Sequence, residues 1–258
     1  MVATFLPPFS PAGEYLAHLR QRGYAVLEPA TVAGISGVAL SDLDALRPSW
    51  DDLATDHYLK DGGRYRQRRH ACFVVDDAQV TRAPHRAHWQ SLDYNALHGG
   101  MQRWFEPVSD DVAALPAWNA LLIALGRTAT QLRGARPWYV EAHQFRIDTT
   151  DGIGRPTPEG AHRDGVDLVA VLLVDRVGIK GGETRVFAAA GPDGQRFTLV
   201  SPWSMMLLDD ERVIHESTPI QPLAGSGHRD TLVLTCRAGG FQGDDQPQDV
   251  PAAANPAY

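Results

Sequence analysis

The sequence is poor in cysteine: Cys72 and Cys236 are its only two in 258 residues. Two thiols cannot build a disulfide framework in a chain of this size, and each sits in an apolar run, so both read as reduced core residues. Positive charge is also short. Lys and Arg number 24 against 31 Asp and Glu, a formal net charge of −7, so there is no basic field to hold nucleic acid. No apolar run approaches the roughly 18 residues of a membrane span; the longest, Leu168–Val174, has a strand's length. Pro7, Pro8 and Pro11 interrupt the only apolar stretch near the N-terminus, and no basic segment leads into it, so a secretory signal is not expected. Catalytic signatures are missing too. The triplets His162-Arg163-Asp164 and His228-Arg229-Asp230 imitate a kinase catalytic loop, but no Gly-rich loop or Asp-Phe-Gly accompanies them. A Gly-x-Ser-x-Gly nucleophile elbow is also absent. These absences point to a cytoplasmic, slightly acidic protein. With 43% hydrophobic and 21% charged residues, the composition is that of an ordinary globular chain.

What is present divides in two. Residues 1–135 read as mainly helical with irregular connections. Ser10-Pro11 resembles an N-cap and first helical residue leading to Gly23, Tyr24–Leu27 a short strand, and Ser41 with Asp44 a capping box before Pro48. Val112, Leu115, Trp118, Leu121, Leu122, Leu125, Ala129 and Leu132 form the strongest helical repeat, from Ser109 to Gly134, with Pro116 marking a kink or a later start. After Gly134 the period falls from 3.6 to about 2, and seven short strands alternate with turns such as Gly181-Gly182 and Pro192-Asp193-Gly194. That pattern predicts a single α+β domain over 1–258. Its core is a double-stranded β-helix, a cupin-like jelly-roll, over 136–240, buttressed by the N-terminal helices, with a flexible tail over 241–258.

Ten histidines stand out in this composition. In a strand, His162 and Asp164 project to one face, and His215 lies 53 residues on, at the end of another strand. Two imidazoles and one carboxylate that leave three positions open form the facial triad of non-haem Fe(II) oxygenases. Arg229 follows on a later strand with Thr231 at i+2. A guanidinium fork grips a carboxylate through two parallel hydrogen bonds, and a neighbouring hydroxyl adds a third, which is what the far end of 2-oxoglutarate requires. Gln144 and Arg146 share one face of their strand and are candidates to line the cavity, as are Arg66 and Arg68, with Arg69 pointing the other way. His85-x-x-His88 lacks a third ligand at fitting spacing and reads as a solvated loop.

Six segments in order, over about residues 55–237, carry a resemblance. They are Arg64-Tyr-Arg66-Gln-Arg68-Arg69; Tyr94-Asn95 with Gly99-Gly100 and Arg103; His143-Gln144-Phe145-Arg146; His162-x-Asp164; Gly181-Gly182-Glu183-Thr184; and His215 with Pro219 followed by Arg229-Asp-x-Leu-Val-Leu-Thr235. Together they resemble the Fe(II)/2-oxoglutarate dioxygenases, and more narrowly the bacterial group of free L-amino-acid hydroxylases such as L-isoleucine dioxygenase, with their biofilm-and-motility-associated homologues. The resemblance implies Fe(II) on His162, Asp164 and His215, and 2-oxoglutarate on Arg229 with Thr231. It also implies O2 as oxidant, and hydroxylation of an aliphatic C–H with release of succinate and CO2. Because Asp164 occupies a ligand position, no site is vacant for chloride, and hydroxylation is expected over halogenation. The partner implied is a small molecule, an amino acid first, with no nucleic acid and no membrane; a homodimer stays open. The alternatives are a jelly-roll sensor that binds metal and 2-oxoglutarate without oxidising anything, and a hydroxylase of a peptide or protein side chain.

Overall fold

The computed structural model describes residues 5–246. In chain order come α1 (Tyr15–Arg22), β1 (Tyr24–Leu27), α2 (Pro29–Ser36), α3 (Leu40–Asp44) and a 3-10 turn (Arg47–Asp52). They are followed by β2 (Arg66–Asp76), β3 (Gln79–Arg82), α4 (Asp110–Ala113) and α5 (Pro116–Arg133). The C-terminal half is a run of strands: β4 (Trp138–Asp148), β5 (Leu168–Val177), β6 (Ile179–Gly181), β7 (Thr184–Ala188) and β8 (Gly194–Phe197). It continues through β9 (Met205–Asp209), β10 (Val213–Ser217), β11 (Ile220–Pro222) and β12 (His228–Ala238). A seven-stranded sheet has the order β1-β9-β5-β12-β4-β2-β3, and smaller sheets β10-β7-β8 and β11-β6 complete an antiparallel jelly-roll. The α+β, double-stranded β-helix expectation holds.

The helix starts differ from the sequence expectation for local reasons. Ser10 does not cap α1, because its N–H donates to Val26 O at 2.7 Å and its hydroxyl pairs with His18 Nδ1 at 2.8 Å. The helix opens five residues later at Tyr15 and closes at Gly23, whose φ of 79° needs glycine. Asp42 rather than Asp44 caps α3, accepting from the Ala39 N–H at 3.1 Å. The pattern from Val112 to Leu132 is interrupted: Ser109 leads into the short α4, and Pro116 restarts the chain as α5. The α2 helix was not anticipated. It begins with proline and ends at Gly37, φ 72°, but shows no apolar periodicity strong enough to announce it.

The seven-stranded sheet separates two cores, and strand alternation decides which residues see which. One face carries Val140, Ala142, Leu232 and Leu234 against Trp118, Leu121, Leu122 and Leu125 of α5. The opposite face of β5 and β9, with Val169, Val171, Leu173, Met206 and Leu208, packs on Val186, Phe197 and Val213 around the smaller sheet. Both cysteines are buried and free, as expected. Fixed register then brings polar side chains of the second face into rows: Arg229 beside Ile147 beside Arg66, Thr231 beside Phe145 beside Arg68, and Val233 beside His143 beside His70. Over β12, β4 and β2 this face is the wall of a cavity. No helix among the described residues is long and apolar enough to cross a membrane.

Candidate active site

His162 and Asp164 lie in the connection between β4 and β5, and His215 lies on β10. His162 and His215 pair through their backbones, N–H to O at 3.0 and 2.9 Å, which sets their rings 4.6 Å apart. The ligand atoms of His162, Asp164 and His215 all lie within 4.8 Å of one another. His162 Nε2 is 3.8 Å from Asp164 Oδ1, and His215 Nε2 is 3.8 Å from Asp164 Oδ2. These gaps exceed hydrogen-bond length, so the three donors converge without consuming each other. Burial pushes the Asp164 carboxyl up to about 7, with Asp210 and Glu159 adding to the push against His162. Burial also holds His215 well below the usual imidazole range, helped by His162. Two imidazole nitrogens and a carboxylate turned toward one point, none hydrogen-bonded to another, are a donor set that suits a divalent cation.

The surrounding chain fixes the ligands. His162 Nδ1 donates to Gly160 O at 2.9 Å, leaving Nε2 free for a metal. Asp210 accepts from three successive backbone N–H groups, Asp164 at 2.9 Å, Gly165 at 2.7 Å and Val166 at 3.1 Å. Gln242 Nε2 donates to the carbonyls of Asp164 and Gly165 at 2.7 and 2.8 Å, so it holds the same turn from the other side. Gly165 has φ 78°, and a Cβ there would meet the Tyr94 ring at 2.5 Å. The flexible tail expected over 241–258 is therefore corrected at its start: Phe241 and Gln242 are buried, and Gln242 supports the triad turn. The remainder of that expectation, 247–258, lies outside the described residues.

The triad opens on a cavity of about 120 Å³ that also takes in Arg229 and Thr231. Arg229 is 4% exposed and makes no side-chain hydrogen bond or ion pair with any of the described residues. Burial and the nearby Arg176 lower its pKa to about 10. A bulge between Asp230 and Thr231 shifts the pairing of β12 with β5 here, and Trp50 seals it from behind, its Nε1 donating to the Phe145 and Thr231 carbonyls. An unpaired, desolvated guanidinium is a receptor for an anion.

The β2–β4 wall is the most polar part. Arg66 Nε donates to Asp56 at 2.7 Å, and Arg68 Nη2 donates to His143 Nδ1 at 2.7 Å while lying over the Phe105 ring. Both line the cavity, and Arg69 points away to Asp52, as alternation predicts. Behind them, Glu141 Oε2 accepts from His70 at 3.0 Å and from His88 at 2.7 Å. His88 was expected in a solvated loop; it is buried beside the cavity, and its partner Glu141 comes from a strand too distant in sequence for spacing to reveal. Asn95 and Arg103 meet here as well: both donate to Gln90 Oε1, and Gln90 Nε2 reaches Asp164 Oδ1 at 3.3 Å.

Two expected site residues are misplaced. Gln144 and Arg146 do share a face, but it is the helix-side face. Gln144 Nε2 donates to Ser49 Oγ at 2.7 Å. Arg146 forks onto Asp230 at 2.9 and 2.7 Å and reaches Asp51 at 3.0 Å. They pin the 3-10 turn to the sheet, while His143, Phe145 and Ile147 take the cavity side. Asp210, Gln242, Glu159 and Gln90 were missed, since each acts through contacts 3 to 78 residues away that no local pattern announces.

The model of the 2OG-Fe dioxygenase family matches residues 47–235. The chain belongs to that family. Its members use Fe(II), 2-oxoglutarate and O2, and the chain is a 2-oxoglutarate-dependent oxygenase. A bsmA homolog (Mpe_A2762) of Methylobium petroleophilum PM1 is 54% identical, with 94% of this chain and 99% of that chain covered and a TM-score of 0.86. IDO from Bacillus thuringiensis shares the fold at 17% identity, covering 88% and 98% of the two chains, TM-score 0.71. The Fe(II)/(alpha)ketoglutarate-dependent dioxygenase TqaL does so at 20% identity, 92% and 93% coverage, TM-score 0.64. No curated protein matches the chain.

Proposed function

We propose that this oxygenase hydroxylates an aliphatic C–H of a free L-amino acid, converting 2-oxoglutarate to succinate and CO2. The observation that carries the reading is the convergence of three metal donors and one unpaired buried arginine on a single small cavity. His162, Asp164 and His215 would hold Fe(II), which when bound supplies the redox chemistry that turns O2 on the cosubstrate and on the C–H bond. The chain's own part is positioning. The His162 Nδ1 bond to Gly160 and the Asp210 and Gln242 contacts fix the donors, so little reorganisation accompanies loading. Arg229, with Thr231 beside it, would grip the far carboxylate of 2-oxoglutarate in a dry pocket, where a charged hydrogen bond is strongest. Val171, Met206 and Val233 line the same space and exclude water from it.

The small cavity supports a small substrate over a peptide, which needs a groove. The test is aerobic incubation with Fe(II), ascorbate, 2-oxoglutarate and each L-amino acid, following succinate and a product heavier by one oxygen. Substrate-coupled succinate supports the reading. Saturable 2-oxoglutarate binding without turnover of any amino acid favours the sensor, and turnover of a peptide alone favours the side-chain hydroxylase.

A further inference from the structure

Apart from Nδ1 of the metal-ligand candidate His215, four buried polar atoms on residues lining the cavity have no hydrogen-bond partner among the described residues: Arg66 Nη2, Arg68 Nε, Arg103 Nε and Glu159 Oε2. Three are cationic donors and one is an anionic acceptor. The arginines are 3% to 5% exposed, and a buried donor left unmade is costly enough that proteins rarely tolerate one, let alone three together. Each is also anchored by another of its nitrogens: Arg66 on Asp56, Arg68 on His143, Arg103 on Gln90. Such anchoring aims a guanidinium instead of leaving it to swing. The Phe105 and Phe145 rings flank Arg68, its Cζ 3.6 and 4.4 Å from their centroids, and hold its plane.

The charges do not cancel within this wall. Three guanidiniums face the carboxylates of Asp56 and Glu141, while burial keeps His70, His88 and His143 neutral. One positive charge is left over, the complement of one carboxylate. Glu159 comes from the connection before β5; it acts electrostatically on Arg103, and its Oε1 lies 3.6 Å from His162 Nε2. Arg229 is separate again, on β12, and is already matched to 2-oxoglutarate. The unmet groups of the cavity thus number one anion receptor and one cation receptor, with Phe145, Ile147 and Pro156 between polar residues on the same lining.

We propose that Arg66, Arg68 and Arg103 bind the carboxylate, and Glu159 the ammonium, of a free α-amino acid, so that the cavity recognises the zwitterion. This rests on the reading of the chain as an amino-acid hydroxylase and adds the residues that define the substrate. Gln90 joins the two halves of the site, since it accepts from Arg103 and donates to Asp164. An amino acid seated on Arg103 is thereby registered against the metal ligands. Glu141 and the three histidines act as positioning residues: they hold Arg68 through His143 and do not touch substrate.

The test uses the full chain loaded anaerobically with Mn(II) and 2-oxoglutarate, and measures binding by calorimetry. The probes are the aliphatic L-amino acids, their carboxamides, and the matching acids that lack the amino group. At least one amino acid should bind, with its amide and its des-amino acid each at least about tenfold weaker. Glu159→Gln should abolish the preference of amino acid over des-amino acid while leaving the preference over the amide. Arg68→Gln should do the reverse, and both variants should keep one metal per chain and the wild-type affinity for 2-oxoglutarate. Equal binding of the amide or des-amino acid to the wild type overturns the proposal, as do variants with unchanged preferences. Absence of amino-acid binding while Mn(II) and 2-oxoglutarate still bind overturns it too. Loss of Mn(II) or 2-oxoglutarate binding by the wild type would instead strike the functional reading beneath it.

Discussion

Two clusters of histidine and carboxylate sit within one molecule, and their difference shows what makes a metal site. His162, Asp164 and His215 bring their ligand atoms together, as do His70, His88, Glu141 and His143. In the second cluster one nitrogen of each imidazole is already engaged: His88 and His70 donate to Glu141 Oε2 at 2.7 and 3.0 Å, and Arg68 donates to His143. A guanidinium there already supplies the positive charge that an ion would bring. In the first cluster the histidine–carboxylate gaps are 3.8 Å, no arginine among the described residues pairs with the ligands, and burial pushes the carboxyl upward. Composition alone does not separate the two. Mutual hydrogen bonding and the local sign of charge do, and they make the first cluster the candidate metal centre and the second a candidate scaffold.

The predictions divide along this line. Asp164→Ala or His215→Ala should reduce turnover by about 1000-fold or more, about 4 kcal/mol of barrier. The metal-free Asp164→Ala protein should melt no lower than metal-free wild type, because a buried carboxyl is removed. Glu141→Ala should do the opposite. Stripping the acceptor from two buried imidazoles costs about 3–5 kcal/mol of stability, read by urea unfolding, with metal stoichiometry in the folded fraction unchanged. Arg229→Ala should raise the KM for 2-oxoglutarate by roughly two orders of magnitude, equivalent to about 3 kcal/mol, with kcat altered less and Arg229→Lys recovering part of the loss.

The smallest effect is on pH dependence. Burial depresses the pKa of His88 to about 3, and those of His70 and His143 move the same way. A histidine depressed in the folded state stabilises fully above its unfolded value near 6.5 and loses that contribution as pH falls toward the folded value. The apo protein should therefore weaken on acidification below about pH 6.5. His88→Gln should show a shallower slope by up to one proton, about 1.4 kcal/mol per pH unit. Equal slopes would remove the charge argument for the scaffold cluster.

Much of this was legible in the sequence because it rests on periodicity and order. The jelly-roll strands and the alternation of Arg66 and Arg68 against Arg69 follow from a period of two and from turn residues; the triad was legible from order and spacing, although His162 and Asp164 lie in the connection before β5 and not on a strand face. Gln144 and Arg146 went astray on parity alone. Val140 and Ala142 occupy the same parity and are apolar, Glu141 and His143 the other and are polar, so the helix-facing side was readable from the neighbours. His88, Asp210 and Gln242 were beyond local reading. Their partners Glu141, Asp164 and Gly165 lie 45 to 78 residues away and are brought near only by the closing of the sheets. The α2 helix failed for the opposite reason: its signals are local but too weak to register among stronger ones.

A single metal should bind, at His162, Asp164 and His215, and the richer histidine cluster should hold none. Metal content of the purified chain after anaerobic loading with Fe(II) and desalting tests it directly. One iron per wild-type chain is expected, none in His162→Ala or His215→Ala, and still one in Glu141→Gln and His88→Gln. Two metals per chain, or iron that survives loss of His162 and disappears with Glu141, would contradict it.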